Sequence, residues 1–148
     1  METMPIKQDN LASISNLLQE NKLPYEDLLS SQVIFITRKS REQLIACIGI
    51  EQYGSDALLR SFAVDDSYKS KGIGTELLHE LLNKCKEEGI KTLHLLTTTA
   101  AEYFEKKGFL RAERLSAPIA ISHSKEFSEL CPSSSVYMRR DITELIPS

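Results

Sequence analysis

The stretch "YKSKGIGTELLHELL", Tyr68 to Leu82, sets two glycines between a basic cluster and an apolar helical pattern. Glycine disfavours a helix interior by roughly 1 kcal/mol relative to alanine, so Gly72 and Gly74 need a local reason to stand there. Upstream, "ALLRSFAV" (Ala57 to Val64) has the composition of a buried strand. Downstream, Ile73, Leu77, Leu78, Leu81, Leu82 and Cys85 recur at helical spacing, with Glu76, His79, Glu80, Lys84 and Glu87 mostly on the other side. A strand, a glycine loop and a helix in that order bring backbone N–H groups to a helix N-terminus, where dipole and open amides favour an anion. Lys69 and Lys71 add positive charge. Two nucleotide loops do not fit. Leu77 occupies the third glycine position of G-x-G-x-x-G, and GxxxxGK[ST] is absent.

Working outward, Asp9 or Asn10 is expected to cap a helix carrying Leu11, Ile14, Leu17 and Leu18. "KLPYEDLL" (Lys22 to Leu29) reads as a second short helix with Pro24 in its first turn. "VIFIT" (Val33 to Thr37) and "LIACIGIEQY" (Leu44 to Tyr53) are strand patterns, and the short turns "RKSRE" and "GSD" imply an antiparallel meander. Beyond the long helix, Gly89 offers a left-handed stop, "KTLHLLT" (Lys91 to Thr97) a strand, and "AAEYFEKKGF" (Ala100 to Phe109) a helix closed by Gly108. Two further strands are expected around Phe109 to Leu115 and Ser135 to Ile142, with a loop and a short helix between them. The expectation is one α/β (α+β) domain over residues 1–148, with a mixed, mostly antiparallel twisted sheet flanked by helices.

With 41% hydrophobic and 26% charged residues among 148, the chain has the balance of a folded domain, and a net charge of −3 gives no electrostatic reason to bind nucleic acid. No run approaches the roughly 20 apolar residues of a membrane span, and "METMPIKQDN" lacks an apolar signal core. A cytoplasmic protein with no membrane partner is expected. Cys47, Cys85 and Cys131 are odd in number and lack CxxC pairing, and the three histidines lack metal-ligand spacing, so neither a disulfide framework nor a metal site is expected.

"SFAV", then Lys69, Gly72 and Gly74, then "AAEYFEKKGF" resemble, in order, three motifs of the general N-acetyltransferase (GNAT) superfamily: a strand ending like "LAV", Q/R-x-x-G-x-G/A, and A-x-x-F-Y-E-K-x-G-F. The resemblance covers nearly the whole chain. It implies acetyl-coenzyme A as cosubstrate, no metal, and a small-molecule amine as acceptor. It implies that amides along Lys69, Ser70, Lys71, Gly72, Ile73, Gly74 and Thr75 hold the diphosphate, for which the glycines clear space. It also implies that the Phe62, Ala63 and Val64 backbone pairs with the pantetheine arm, that the Val64 amide donates to the developing oxyanion, and that Phe104 belongs to the cofactor site. Lys69 departs from the family's Gln or Arg. A narrower likeness, in "YGSDALLRSFAV", "LLTTTAAEYF" and "LCPSSSVYM", is to the arsenic-resistance N-acetyltransferase subfamily. That implies a small amine or amino-acid-like acceptor, including an arsenic-containing one. A monomer or homodimer is expected.

The family's usual general acid is a tyrosine where this chain has Phe104, while Tyr103 precedes it and points about 100° away around the helix. A thiol leaving group, with a pKa of about 8.5, needs less protonation than an alkoxide would. Thr97, Thr98 and Thr99 either offer a hydroxyl to substrate, Thr98 foremost, or are ordinary strand and turn residues. Arg60, isolated in an apolar strand, either clamps an anionic group of the substrate or pairs internally with Glu51 or Asp56. His94 reads as a satisfied core histidine or a base, His123 as a loop residue bordering a pocket, and His79 as solvent-exposed. The cysteines either pack in the core or offer thiolates to trivalent arsenic. Three functional readings follow: an acetyl-coenzyme A-dependent N-acetyltransferase, an acyl-coenzyme A-binding sensor without turnover, and a thiol-based arsenic binder.

Overall fold

The computed structural model describes residues 2–5 and 8–142, with side chains from residue 10 onward. In chain order the elements are β1 (Glu2–Pro5), α1 (Gln8–Glu20), β2 (Ile34–Ser40), β3 (Gln43–Tyr53), β4 (Asp56–Val64), α2 (Ile73–Glu87), β5 (Thr92–Thr97), α3 (Ala101–Lys106), β6 (Leu110–Ala112), α4 (Ile119–Ser122) and β7 (Val136–Asp141). The mixed, mostly antiparallel α/β architecture expected from the sequence is present. The chain divides into two compact units, Met1–Glu51 with Leu59–Lys84, and Gln52–Leu58 with Cys85–Ser148.

In the first unit the strands neighbour one another in the order β1-β2-β3-β4. β1 is antiparallel to β2 from Glu2↔Thr37 to Pro5↔Ile34, and β2 is antiparallel to β3 from Ile34↔Ile50 to Ser40↔Gln43. Ile45 through Glu51 on β3 are buried without alternation, the pattern of a strand covered on both faces. Ile14, Leu17 and Leu18 of α1 cluster with Leu28, Val33, Phe35, Cys47 and Ala63. The apolar stripe of α2 is likewise buried, Leu77 and Leu81 completely.

Two local expectations are corrected here. α1 begins at Gln8, so Asn10 lies inside the helix, and the side chain of Asp9 falls outside the described residues. Lys22 to Leu29 form no helix but a series of turns. The serines explain this: Ser30 Oγ donates to the Asp27 carbonyl at 3.1 Å and Ser31 Oγ to the Asp27 carboxylate. Such local bonds offer the backbone an alternative to a helical ladder, and a single turn, Ser31 N–H to Asp27 O at 2.9 Å, is what remains.

In the second unit the order is β4-β5-β7-β6. β4 pairs parallel with β5 from Asp56↔Thr92 to Leu58↔His94, a step that requires a crossover connection, and α2 lies in that connection. α2 ends where expected, with Gly89 at φ 76° and the Ile90 N–H returning to Cys85 O at 2.9 Å. β7 is antiparallel to both β5 and β6. β6 stops at Ala112, short of the expected Leu115, because Arg114–Ser116 turn in a tight 3₁₀ helix. The Arg114 guanidinium donates to the carbonyls of Phe127, Pro132 and Ser133 and lies 4.9 Å from the Phe127 ring centre, fixing the long loop. Leu58, Ile121, Phe127 and Tyr137 form this unit's own apolar cluster.

A hydrogen-bonded chain runs beside that cluster. His94, 1% exposed, meets the half-buried Asp56 through Nε2 at 2.8 Å and the Tyr137 hydroxyl through Nδ1 at 2.7 Å. Both partners are satisfied when Nε2–H donates to the carboxylate and Nδ1 accepts from the phenol. Burial raises the Tyr137 pKa above its ordinary value, with nearby Arg139 opposing, which keeps the donor protonated. Tyr137→Phe would leave Nδ1 buried without its donor. We expect a loss of about 1–3 kcal/mol in stability, read as a lower urea midpoint at unchanged slope.

Candidate active site

The first unit carries the strand end and glycine loop that the sequence singles out. β4 does not stay extended: Ser61 is buried and has φ 56°, a left-handed backbone within a strand. For a residue other than glycine this conformation costs on the order of 1–3 kcal/mol and persists only when the surroundings enforce it. It acts like a bulge, re-aiming the chain after it. Past the turn, Phe62 and Val64 are half-buried and Ala63 is buried, and the Asp65 N–H donates to Ile45 O at 2.7 Å. Cys47 faces the turn from β3, its thiol donating to Ser61 O at 3.2 Å. Burial pushes this thiol up to about 12 despite the Ala63 amide, so it stays protonated. That places Cys47 in the packing reading; Cys85 is buried and Cys131 half-buried.

After β4, Asp65 caps a short 3₁₀ turn (Asp66–Tyr68), its carboxylate accepting from Ser67 N–H at 2.9 Å. The backbone is left-handed at Ser70 (φ 65°) and again at Gly72 (φ 81°), with Lys71 between them. Such alternation turns successive N–H groups toward one side, the geometry of an anion nest. α2 follows at once: the Glu76 N–H donates to Gly72 O at 3.0 Å across its first turn. Lys69 is bound to Asp66 at 2.8 Å, and the Lys71 ammonium lies 5.5 Å from the Tyr68 ring centre. Glu76 is covered by Arg38, at 3.0 Å, so its charge does not dominate the helix start. Acidic and basic side chains roughly cancel around the loop. The pull on an anion therefore comes mainly from the main chain.

The two glycines do different work. A Cβ at Gly72 would meet open space, and that residue is there for its backbone angle. A Cβ at Gly74 would lie 3.3 Å from the Phe62 ring and 3.7 Å from Val64. Gly74 lets α2 pack closely on the end of β4, so the expectation that both glycines clear ligand space is corrected for this one.

Arg60 falls to the internal alternative. Its side chain is 0% exposed and donates to both oxygens of Asp27, at 2.6 and 2.7 Å, to Glu51 at 2.9 Å and to Ser61 Oγ at 3.0 Å. A guanidinium so engaged has no face to offer a substrate anion. Burial would raise the Asp27 carboxyl, but the bonds from Arg60 and Ser31 and the Arg60 charge outweigh it and hold its pKa below the ordinary value. Of the two partners weighed from sequence, Glu51 is present and Asp56 belongs to His94. Asp27 was not visible in the pattern, since it lies 33 residues away in a segment that reads as a helix.

The remaining candidates, His79 apart, lie in the second unit. Thr97 Oγ1 accepts from the Ala100 N–H at 2.9 Å and so shapes the entry to α3, while Thr98 and Thr99 are exposed. Phe104 is 5% exposed and packs edge-on between Tyr103 and Phe109. Tyr103 is half-buried, with the Lys107 ammonium 5.5 Å from its ring centre. His94 is the satisfied core histidine described above, and His123 and His79 are exposed.

The acetyltransferase (GNAT) family model matches residues 7–109. An amino-acid acetyltransferase from Pseudomonas fluorescens (strain Pf0-1) is 40% identical over 68 residues, which cover 45% of this chain and 16% of that protein. The chain spans about a fifth of the length of the curated relatives it matches. Among solved structures, N-acetylglutamate synthase from Neisseria gonorrhoeae, complexed with coenzyme A and L-arginine, superposes with a TM-score of 0.75 at 19% identity, covering 97% of this chain and 33% of that one. A GNAT-family acetyltransferase from Staphylococcus aureus Mu50 gives 0.73 at 20% identity, covering 96% and 99%. These likenesses in structure establish the fold.

Removing Arg60 would strand two buried carboxylates. Arg60→Ala should cost about 3–5 kcal/mol at pH 7. The pH dependence should also change sign. In the unaltered protein the folded-state pKa of Asp27 is depressed, so its contribution is complete above the unfolded value of about 3.9 and is lost only as pH falls through the lower folded value. Without the guanidinium, desolvation raises Asp27, and the variant should gain stability on acidification from about pH 7 to 5. Urea titrations of both proteins at the two pH values measure this. A variant that gains nothing would show that the carboxylates find other compensation.

Proposed function

The chain belongs to the acetyltransferase (GNAT) family, and on that premise we propose that it transfers an acetyl group from acetyl-coenzyme A to the amino group of a small, amino-acid-like acceptor. The observation that carries the reading is the loop from Lys69 to Thr75, where left-handed backbone at Ser70 and Gly72 leads directly into the N-terminus of α2. That cradle fits a diphosphate: it offers amides rather than a fixed surplus of cationic side chains, and the position of Gly72 opens onto free space. Lys69, Ser70, Lys71, Gly72, Ile73, Gly74 and Thr75 would hold the diphosphate. Phe62, Ala63 and Val64, at the end of β4, would present main-chain groups to the pantetheine arm.

Acetyl-coenzyme A supplies, when bound, an activated acyl group and a thiol leaving group. The chain's own contribution is positional and electrostatic. The Val64 N–H donates to the carbonyl oxygen as negative charge develops there, the kind of preorganised donor worth about 2.7–4 kcal/mol where it has been removed. Removal of the proton from the acceptor amine falls to solvent, and Phe104, which has no proton to give, takes no part in acid catalysis. Residues 1–148 are read as one acetyltransferase domain acting in the cytoplasm; among the described residues no helix is long and apolar enough to cross a membrane.

Support for an amino-acid-like acceptor comes from the relatives, several of which are amino-acid acetyltransferases. The narrower likeness to arsenic-resistance acetyltransferases adds arsenic-bearing amino-acid analogues to the acceptors worth testing. The test is release of free thiol from acetyl-coenzyme A on addition of amino acids, their analogues and organoarsenicals, one at a time. Binding of acetyl-coenzyme A with no thiol release for any amine would favour the sensor reading. No binding at all would overturn the proposal.

Gly72→Asp puts a negative charge into the open side of the cradle, and aspartate tolerates left-handed backbone better than most residues. Calorimetry should show coenzyme A affinity reduced at least about tenfold, or 1.4 kcal/mol, with the circular dichroism spectrum retained. Tyr103→Phe should leave kcat within about tenfold, because a positioned general acid would contribute about 10²–10⁴-fold. A fall of about a hundredfold with KM preserved would instead make Tyr103 the acid.

A further inference from the structure

We infer that Arg60 is a positioning residue for the coenzyme-facing end of β4: it holds the left-handed turn at Ser61, and that turn aims Phe62, Ala63 and Val64. What the strand end faces rests on the acetyl-transfer reading; the turn and its support do not.

In an extended strand, neighbouring side chains project to opposite faces, so Arg60 and Ser61 should not meet. They meet here, Nε donating to Oγ at 3.0 Å, because Ser61 has φ 56°. Serine lacks the freedom of glycine at this angle, and the conformation survives because contacts fix it from several sides. The Ser61 hydroxyl accepts from Arg60, the Ser61 carbonyl accepts from the protonated Cys47 thiol at 3.2 Å, and beyond the turn the Asp65 N–H is bound to Ile45 O. Arg60 itself cannot swing away. Asp27 holds two of its nitrogens, and Glu51 shares one of them at 2.9 Å, all with side chains no more than 3% exposed. Asp27 is fixed in turn by the Ser31 hydroxyl. The planar fork is needed for this: Nε reaches back to its own strand while the terminal nitrogens are anchored elsewhere, which a lysine ammonium cannot reproduce.

The support therefore runs from the Asp27–Ser31 turn, through the guanidinium, to the direction of the Val64 N–H. Its function is to keep that donor preorganised, so its loss falls on kcat more than on cosubstrate binding.

Two variants separate the hydroxyl from backbone strain. Ser61→Gly adopts φ 56° freely and keeps the fold, but removes the Oγ that Arg60 holds; Ser61→Ala removes the hydroxyl and keeps the strain. In ligand-free protein, amide hydrogen exchange followed by NMR should accelerate at Asp65 by about tenfold or more in both, while the Leu78 and Leu81 amides of α2 stay within about twofold. With acetyl-coenzyme A and an accepted amine, kcat should fall by about tenfold or more and the KM for acetyl-coenzyme A should change by less than about threefold. Arg60→Lys should reproduce the pattern. Unchanged exchange at Asp65 in Ser61→Gly overturns the positioning role, whatever the kinetics. If the unaltered protein binds no coenzyme A, the acetyl-transfer reading fails, and the exchange result alone decides what Arg60 does.

Discussion

A guanidinium removed from water must be met by charge and by hydrogen-bond acceptors, because a buried ion left alone costs several kcal/mol. Arg60 meets that demand with two carboxylates and a hydroxyl, and much of the first unit is arranged around it. Asp27 must lie in a turn that brings its carboxylate inward, which is why the segment before β2 is not a helix. Glu51 must end the buried run of β3. Ser61 must leave the extended conformation so that its hydroxyl comes to the same side as its neighbour. An apolar residue of similar volume at position 60 could stabilise the core as well, since buried ion pairs seldom gain over good packing. What such a residue would not do is hold a strained turn next to the end of β4.

The glycine loop shows the same economy at a different scale. Gly72 supplies a backbone angle, and Gly74 supplies room for a neighbouring ring. Together they bring the first turn of α2 close against the end of β4, with Arg38 neutralising the acidic residue at the helix start. The local lysines are partly spent on Asp66 and Tyr68. On the proposed reading an anion would be held by the chain's amides, so the side chains between the glycines would matter less than the dihedral angles.

The second unit holds a different device, a hydrogen-bonded chain of carboxylate, imidazole and phenol. Each member has its donors and acceptors satisfied, and the chain borders an apolar cluster of its own. It differs from the group in the first unit, which brings two carboxylates to one guanidinium.

The sequence by itself determined the element types wherever apolar period was strong. β3, β4, α2 and β5 stand where their patterns put them, because spacing of 2 or 3.6 is a local property that burial then enforces. β2 runs on to Ser40 through most of the expected turn, since its pairing with β3 continues to Ser40↔Gln43. The sequence also determined the order strand, glycine loop, helix. It did not determine the partner of Arg60, since a charge in an apolar strand states a need without saying which of many distant carboxylates will meet it. Asp27 is invisible for that reason, and the helix expected around it failed because serine side chains and Arg60 compete for the same groups. Nor could it show the turn at Ser61, where no glycine marks the left-handed backbone; only contacts from Arg60 and Cys47, assembled by the fold, make that angle tolerable. Tertiary structure decided those points because they depend on groups that are far apart in the chain and meet only once the strands have paired.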